Sequence, residues 1–313
     1  MKTCPVDVVI PVHDGRRWIA RAITSVLDQD PSPARVLVVD DGSRDGTPEV
    51  VAGFGHRVTL VRHPERRGLP AARNTGIRAG SAELVAFLDA DDAWRPGMIA
   101  AQLEAFARHP DIGLCWTRVV ECDEDLRPVR ERRFRRREAE RCFDELYLEA
   151  FPIPPSATFV RRKALEDVGM FDERFLKAQD FELWLRIALV YPLSCIDRPL
   201  CLRRLHGESI TGRSRVEDIL RFDEMCFRSI ADFAATRGRP LPMPVEERIV
   251  LSRRRRLEEM LAIPAPSAAR ACRADLRSRR SWRVRDELAF WPRLGLAAAR
   301  RLLRGFDFPI PGP

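Results

Sequence analysis

The apolar positions of the first 120 residues fall into two kinds of run that alternate along the chain. Val6-Asp7-Val8-Val9-Ile10, Val36-Leu37-Val38-Val39 and Leu84-Val85-Ala86-Phe87-Leu88 are short and almost continuously apolar. Runs of that kind suit strands buried on both faces. Between the first two, Trp18, Ile19, Ala22, Ile23, Val26 and Leu27 recur at helical spacing. A short helix is expected from about Thr47, a strand near residues 58–61 and another helix from about Pro70. Buried strands separated by helices predict an α/β fold with a mostly parallel central sheet flanked by helices.

Further along, Phe181, Leu183, Trp184, Ile187, Ala188 and Val190 mark a helix with a wide apolar face. An arginine cluster from Arg130 to Arg137 precedes it and reads as a loop or the start of a solvated helix. From about Val216 the pattern is helical, broken at Pro240–Pro244 and Pro264–Pro266, where domain boundaries are expected. No internal repeat is evident.

With 313 residues, 45% of them hydrophobic, the chain can bury a full core with an appendage. No apolar run reaches the roughly 18 residues that span a bilayer. Asp7 interrupts the N-terminal apolar stretch and polar residues follow it, which does not suit a signal peptide and leads us to expect a cytoplasmic protein. The eight cysteines are scattered without a C-x-x-C pair or zinc-like spacing, so buried free thiols are expected. Charge changes the picture at one end. Residues 251–313 hold 15 arginines against 6 acids, while the net charge of the whole chain is +8. A nearly neutral body therefore carries a basic tail, and an anionic surface is a partner for the tail alone.

Two of the buried runs end in acidic clusters, Asp40-Asp41 and Asp89-Ala90-Asp91-Asp92. Ligands of open α/β sheets bind outside the carboxyl ends of the strands. Crowded carboxylates repel one another and lose hydration, and a bound cation offsets both costs. If residues 89–91 are extended, the Asp89 and Asp91 side chains point the same way and can meet one hard divalent ion. Each aspartate taken alone also suits a turn or a helix cap, and that reading stays open for Asp180 at the start of its apolar helix.

Taken together these segments resemble the family 2 inverting glycosyltransferases. Pro11-Val12-His13-Asp14-Gly15 resembles the family's P-V-Y-N-G, and Val38 to Thr47 is similar to its V-V-D-D-G-S-T-D-G-T. Gly68 to Gly76 matches G-x-x-x-A-R-N-x-G, Asp89-Ala90-Asp91 matches D-x-D, and Gly169 to Glu173 with Gln179 to Trp184 matches G-x-F-D-E and [EQ]-D-x-x-L-W. The resemblance covers about residues 5–210 and implies a GT-A type Rossmann-like fold. It implies a catalytic domain over residues 1–212, with a donor-binding half to about 120 and an acceptor half over 121–212, followed by a helical, arginine-rich extension over 213–313. Pro11, Val12 and His13 would line the nucleotide of a sugar donor, UDP in the commonest case. Asp40 would bond its base, and Asp41 and Arg73 would belong to the donor site. Asp89 would meet ribose or metal, Asp91 would ligate Mn2+ or Mg2+, and Asp180 would be the base. His13-Asp14 departs from the usual Tyr-Asn.

Arg203-Arg204-Leu205-His206-Gly207-Glu208-Ser209 is similar to the family's Y-R-x-H-x-x-S, which would bring His206 to the diphosphate or the metal; a structural histidine is the other reading. The acceptor would be a glycan or a lipid-linked sugar. No Gly-rich phosphate loop is present, which disfavours a sugar nucleotidyltransferase, and the intact carboxylates disfavour a non-catalytic scaffold. In the tail, Arg293, Arg300, Arg301 and Arg304 share a helical face beside Leu294, Leu302 and Leu303. That is the pattern of a basic amphipathic helix on an anionic membrane, or of a helix packed on the body with its arginines solvated. No nucleic-acid recognition motif accompanies it.

Overall fold

The computed structural model describes residues 4–132, 137–140, 142–207 and 216–261. In chain order the elements are β1 (Val6–Val12), α1 (Ile19–Leu27), β2 (Arg35–Asp40), α2 (Thr47–Ala52), β3 (Thr59–Arg62), α3 (Leu69–Ala79), β4 (Leu84–Phe87), β5 (Ala93–Trp94) and α4 (Met98–Arg108). They continue with β6 (Leu114–Cys122), β7 (Pro128–Arg132), β8 (Arg137–Glu140), α5 (Phe143–Glu149), β9 (Thr158–Arg161), α6 (Arg162–Val168), α7 (Gln179–Val190), β10 (Leu193–Arg204), α8 (Val216–Thr236) and α9 (Val245–Leu261).

The ten strands among the described residues join one sheet, whose main path runs β3-β2-β1-β4-β9-β6-β10-β5. The strands read from the sequence, β1 to β4, pair in parallel, as the apolar runs predicted. Beyond β4 the sheet is mixed. β9 runs antiparallel to both β4 and β6, and β6 runs parallel to β10. The arginine cluster, expected as a loop or helix start, instead contributes two strands: β7 pairs antiparallel with β6 and β8 with β10. Alternation is hard to see there because charged residues follow one another along β7, Arg130 bonding the buried Glu121 at 2.6 Å and Glu131 pairing with Arg118.

The described residues fall into two compact units, one within Met1–Arg213 and Arg228–Pro242, the other within Ser214–Phe227 and Met243–Pro313. In the first, β1 is buried on both faces and packs against α1 and α3. In the second, Ser252 donates to Asp223 at 2.7 Å, and the Arg248 guanidinium lies 4.2 Å from the Phe227 ring centre. The helical pattern breaks at Pro240–Pro244 as expected. The second proline cluster and the amphipathic segment from Arg293 to Arg304 lie outside the described residues. No helix among the described residues is long and apolar enough to cross a membrane. The seven cysteines among the described residues are thiols outside any disulfide, and all but Cys4 are buried.

Candidate active site

Two motifs that the sequence presents separately are stitched together at the carboxyl ends of β1 and β2. The amide of Asp14 donates to Ser43 Oγ at 2.9 Å, Gly15 to Thr47 Oγ1 at 3.0 Å and Arg16 to Asp45 Oδ2 at 2.9 Å. In return Arg44 N–H donates to Asp14 Oδ1 at 2.8 Å. Short polar side chains that bond nearby amides are suited to such turns. Gly42, at φ 75°, is needed there twice over, because a Cβ would also sit 2.9 Å from the Arg66 backbone nitrogen.

Pro11 and Val12 end β1, and His13 follows with Nδ1 2.8 Å from the Asp41 carbonyl oxygen, so Nδ1 carries the proton. Asp40 is fully buried, accepting from Ser43 N–H at 3.0 Å and from Arg62 Nε at 2.8 Å. Asp41 faces the following loop. Its Oδ1 meets His63 Nδ1 at 2.7 Å and Arg67 N–H at 2.8 Å, and its Oδ2 meets Gly68 N–H at 2.8 Å. Burial alone would push this carboxyl up, but the bonds from Arg67, His63 and Gly68 outweigh it and hold the group below its usual range. Asp41 thereby pins the turn that opens α3.

Along α3, Arg73 is 1% exposed and donates from Nη2 to Asp89 Oδ1 at 2.6 Å. Its Nε and Nη1 have no partner among the described residues. Asn74 clasps Phe171 through both backbone groups, and Gly76 lets the helix lie against Val9, whose side chain a Cβ would overlap. The A-R-N-x-G pattern thus joins three tasks on one helix turn.

Asp89 to Asp92 do not continue β4 as the extended segment expected from the sequence. They form a turn closed by Asp92 N–H to the Asp89 carbonyl at 3.0 Å. Asp89 and Asp91 are 33% and 31% exposed, and among the described residues each has one carboxylate oxygen without a partner. The other Asp91 oxygen meets His206 Nε2 at 2.8 Å. Asp92 is buried; desolvation, then the charges of Asp91 and Asp89, push its carboxyl well above the usual range, and its Oδ1 accepts Arg204 N–H at 2.9 Å. Arg204 also donates to the Asp91 carbonyl at 2.8 Å and stacks on Trp18, its guanidinium 4.1 Å from the ring centre. Trp18 takes Arg17 at 3.9 Å as well.

Asp180 is the second residue of α7, whose cap position is Ala178 at φ 56°, so Asp180 does not serve as the helix cap. It accepts from Phe181 N–H at 2.9 Å. Burial pushes the Asp180 carboxyl up, Arg73 and the Phe181 amide oppose this, and Asp89 adds to it; the net direction is upward. The structure therefore groups Arg73, Asp89 and Asp180 electrostatically, and joins Asp91 to His206. Asp40, Asp41 and His13 sit at the neighbouring strand ends. Sequence reasoning did not single out Trp18, Asp92 or Arg204 as site residues, nor Asn74 as the side chain that holds Phe171. Asn74, Asp92 and Arg204 carried a signal, by their places in the A-R-N-x-G match, the acidic cluster and the R-R-L-H segment.

The sequence model of glycosyl transferase family 2 matches residues 7–169. The pre-mycofactocin glycosyltransferase of Mycobacterium tuberculosis is 33% identical over 192 residues, covering 58% of this chain and 38% of that protein. The chain thus spans well under half the length of that relative. Among solved structures, Staphylococcus aureus TarS residues 1–349 in complex with UDP-GlcNAc match with a TM-score of 0.61 at 16% identity, over 79% of this chain and 70% of that one. The mannosyltransferase PcManGT from Pyrobaculum calidifontis, in complex with GDP-Man and Mn2+, matches with a TM-score of 0.55 at 23% identity, over 98% and 89%. These likenesses give the fold, of the GT-A type. By its sequence the chain belongs to glycosyl transferase family 2.

Proposed function

We propose that the protein moves a hexose from a nucleotide diphosphate sugar, UDP-linked by the character of its first motifs, to a hydroxyl of a glycan or lipid-linked acceptor. The displacement is single and inverting, with Asp180 as base. The observation that carries this reading is the fully buried Arg73, bonded to Asp89 and retaining two unused donors, within electrostatic reach of Asp180. Unmade donors on a buried guanidinium cost free energy. An anionic donor offsets that cost, and nucleotide sugars bound to TarS and PcManGT support the assignment.

Asp89 and Asp91 would hold Mn2+ or Mg2+. Each offers one free hard oxygen, which suits ions that bind through one or two carboxylates and substrate phosphates. Bound there, the ion would neutralise charge developing on the departing nucleotide diphosphate. His206 fixes the Asp91 carboxylate, and Arg73 fixes that of Asp89. Pro11, Val12, His13 and Asp40 border the nucleotide base, while Asp41 holds the loop beside it. Asp180, made more basic by desolvation, takes the acceptor hydroxyl proton as the hydroxyl attacks the anomeric carbon. The reaction takes place on the cytoplasmic side, with the basic tail attaching to an anionic membrane surface and no nucleic acid involved.

A panel of UDP-, GDP- and dTDP-sugars, each with and without Mn2+, tests the reading by donor hydrolysis and thermal stabilisation. One nucleotide class should respond in a metal-dependent way. A protein indifferent to every sugar nucleotide would overturn the proposal.

A further inference from the structure

Arg186, one turn along α7 from Glu182, is 6% exposed and uses every N–H of its guanidinium. Nε and Nη2 reach the two Glu182 oxygens at 2.8 and 2.6 Å. Nη1 bonds the carbonyls of Val168 at 2.7 Å and Gly169 at 2.8 Å, and Nη2 bonds that of Met170 at 2.9 Å. Glu182 is buried too and accepts from Ser229 Oγ at 2.9 Å. Burying such a pair contributes little net stability. What a guanidinium fork does well is fix direction, because its donors are planar and rigid.

The backbone it grips leads straight into Phe171. Asn74 Nδ2 donates to the Phe171 carbonyl at 2.8 Å, and Phe171 N–H donates to Asn74 Oδ1 at 3.0 Å. The Phe171 ring lies 5.3 Å from the Arg73 guanidinium, 5.4 Å from Phe87 and 6.1 Å from Trp184. Phe171 thus touches the helix of Arg73, the strand before Asp89 and the helix of Asp180. We propose that the Glu182–Arg186 pair, acting through the backbone of residues 168–171 and through Asn74, is a positioning device that sets Asp180 against Arg73. None of these residues need touch either sugar. The proposal rests on the reading of Asp180 as the base, and it makes the approach of acceptor to donor depend on one buried ion pair.

Hydrogen–deuterium exchange on the whole protein, Arg186→Lys and Asn74→Ala tests it without substrate. Both variants should speed exchange at residues 179–183, although Asn74 lies on α3 and bonds no residue of α7. UDP with Mn2+ should bind both variants as it binds wild type. Hydrolysis of UDP-GlcNAc, counted per UDP-binding site, should fall about 10- to 100-fold, as expected when reacting groups shift by on the order of 1 Å. A purely structural role would lower the melting temperature and leave that per-site rate unchanged. If Arg186→Lys does not fold, Asn74→Ala decides alone. Exchange at 179–183 unchanged in Asn74→Ala, with 171–173 loosened, would overturn the proposal. Failure of wild type to hydrolyse any sugar nucleotide would count against the proposed function, and the exchange result would still decide the coupling.

Discussion

His206 Nε2 lies 2.8 Å from Asp91 Oδ2, on a ring that is 6% exposed beside a carboxylate that is 31% exposed. The histidine bonds one oxygen and leaves the other without a partner among the described residues, an arrangement that would suit an outer partner orienting a metal ligand. UDP and Mn2+ should therefore bind synergistically to wild type and without synergy to Asp91→Asn. His206→Ala should weaken that coupling by about 10- to 100-fold. Calorimetric titrations of UDP with and without Mn2+ check both. Equal affinities in wild type would rule out the metal role of Asp91.

Asp180→Asn should lower turnover by about 10²–10⁴, the usual worth of a general base, with little change in nucleotide affinity. The same variant should melt at a higher temperature at pH 7. Because burial raises the folded-state pKa above the unfolded value near 3.8, the ionised carboxyl costs stability at neutral pH. That cost vanishes below the unfolded pKa, so the two melting curves should converge near pH 3. The wild-type rate should fall as pH drops through the raised value. A variant less stable than wild type at pH 7 would contradict the desolvation argument.

Asp41 has the opposite sign. Its folded-state pKa is lowered, so its contribution is complete above the unfolded value of 3.8 and is lost as pH falls through the depressed one. Asp41→Asn turns an acceptor into a donor facing the Arg67 and Gly68 amides or His63. It should cost about 1–3 kcal/mol in urea unfolding at pH 7, and much less near pH 2. A constant difference across that range would show that the charge of Asp41 is not what holds the loop.

Gly76→Ala should destabilise, although alanine in a helix interior ordinarily gains about 1 kcal/mol over glycine. The added methyl would overlap the Val9 side chain in the core, and overpacking of that kind costs about 1–3 kcal/mol. A raised melting temperature would mean that α3 can lift from β1 without loss.

Residues 282–304 should carry the protein onto anionic liposomes at low salt, each arginine near the surface contributing on the order of 1 kcal/mol. Flotation of full-length protein against a chain ending at residue 281 checks this. A truncated protein that still floats would retire the membrane reading.

The sequence by itself determined the first half of the sheet and the chemical inventory of the site. Buried parallel strands are apolar on both faces, so β1, β2 and β4 are legible as runs, and the carboxylates stand out where those runs end. Glycines that the backbone or close packing requires, such as Gly42 and Gly76, also leave a mark on the sequence. The second half was hidden for the opposite reason. β7 runs through Arg130, Glu131 and Arg132, so its pairing with the preceding β6 leaves no apolar alternation to read in the sequence. Tertiary structure alone decided that the 89–92 segment turns, that Asp41 bonds a loop 22 to 27 residues away, and that Asn74 meets Phe171 97 residues on. The last two are hydrogen bonds between groups far apart in the chain, and the energy of all three depends on a geometry that no spacing along the sequence encodes.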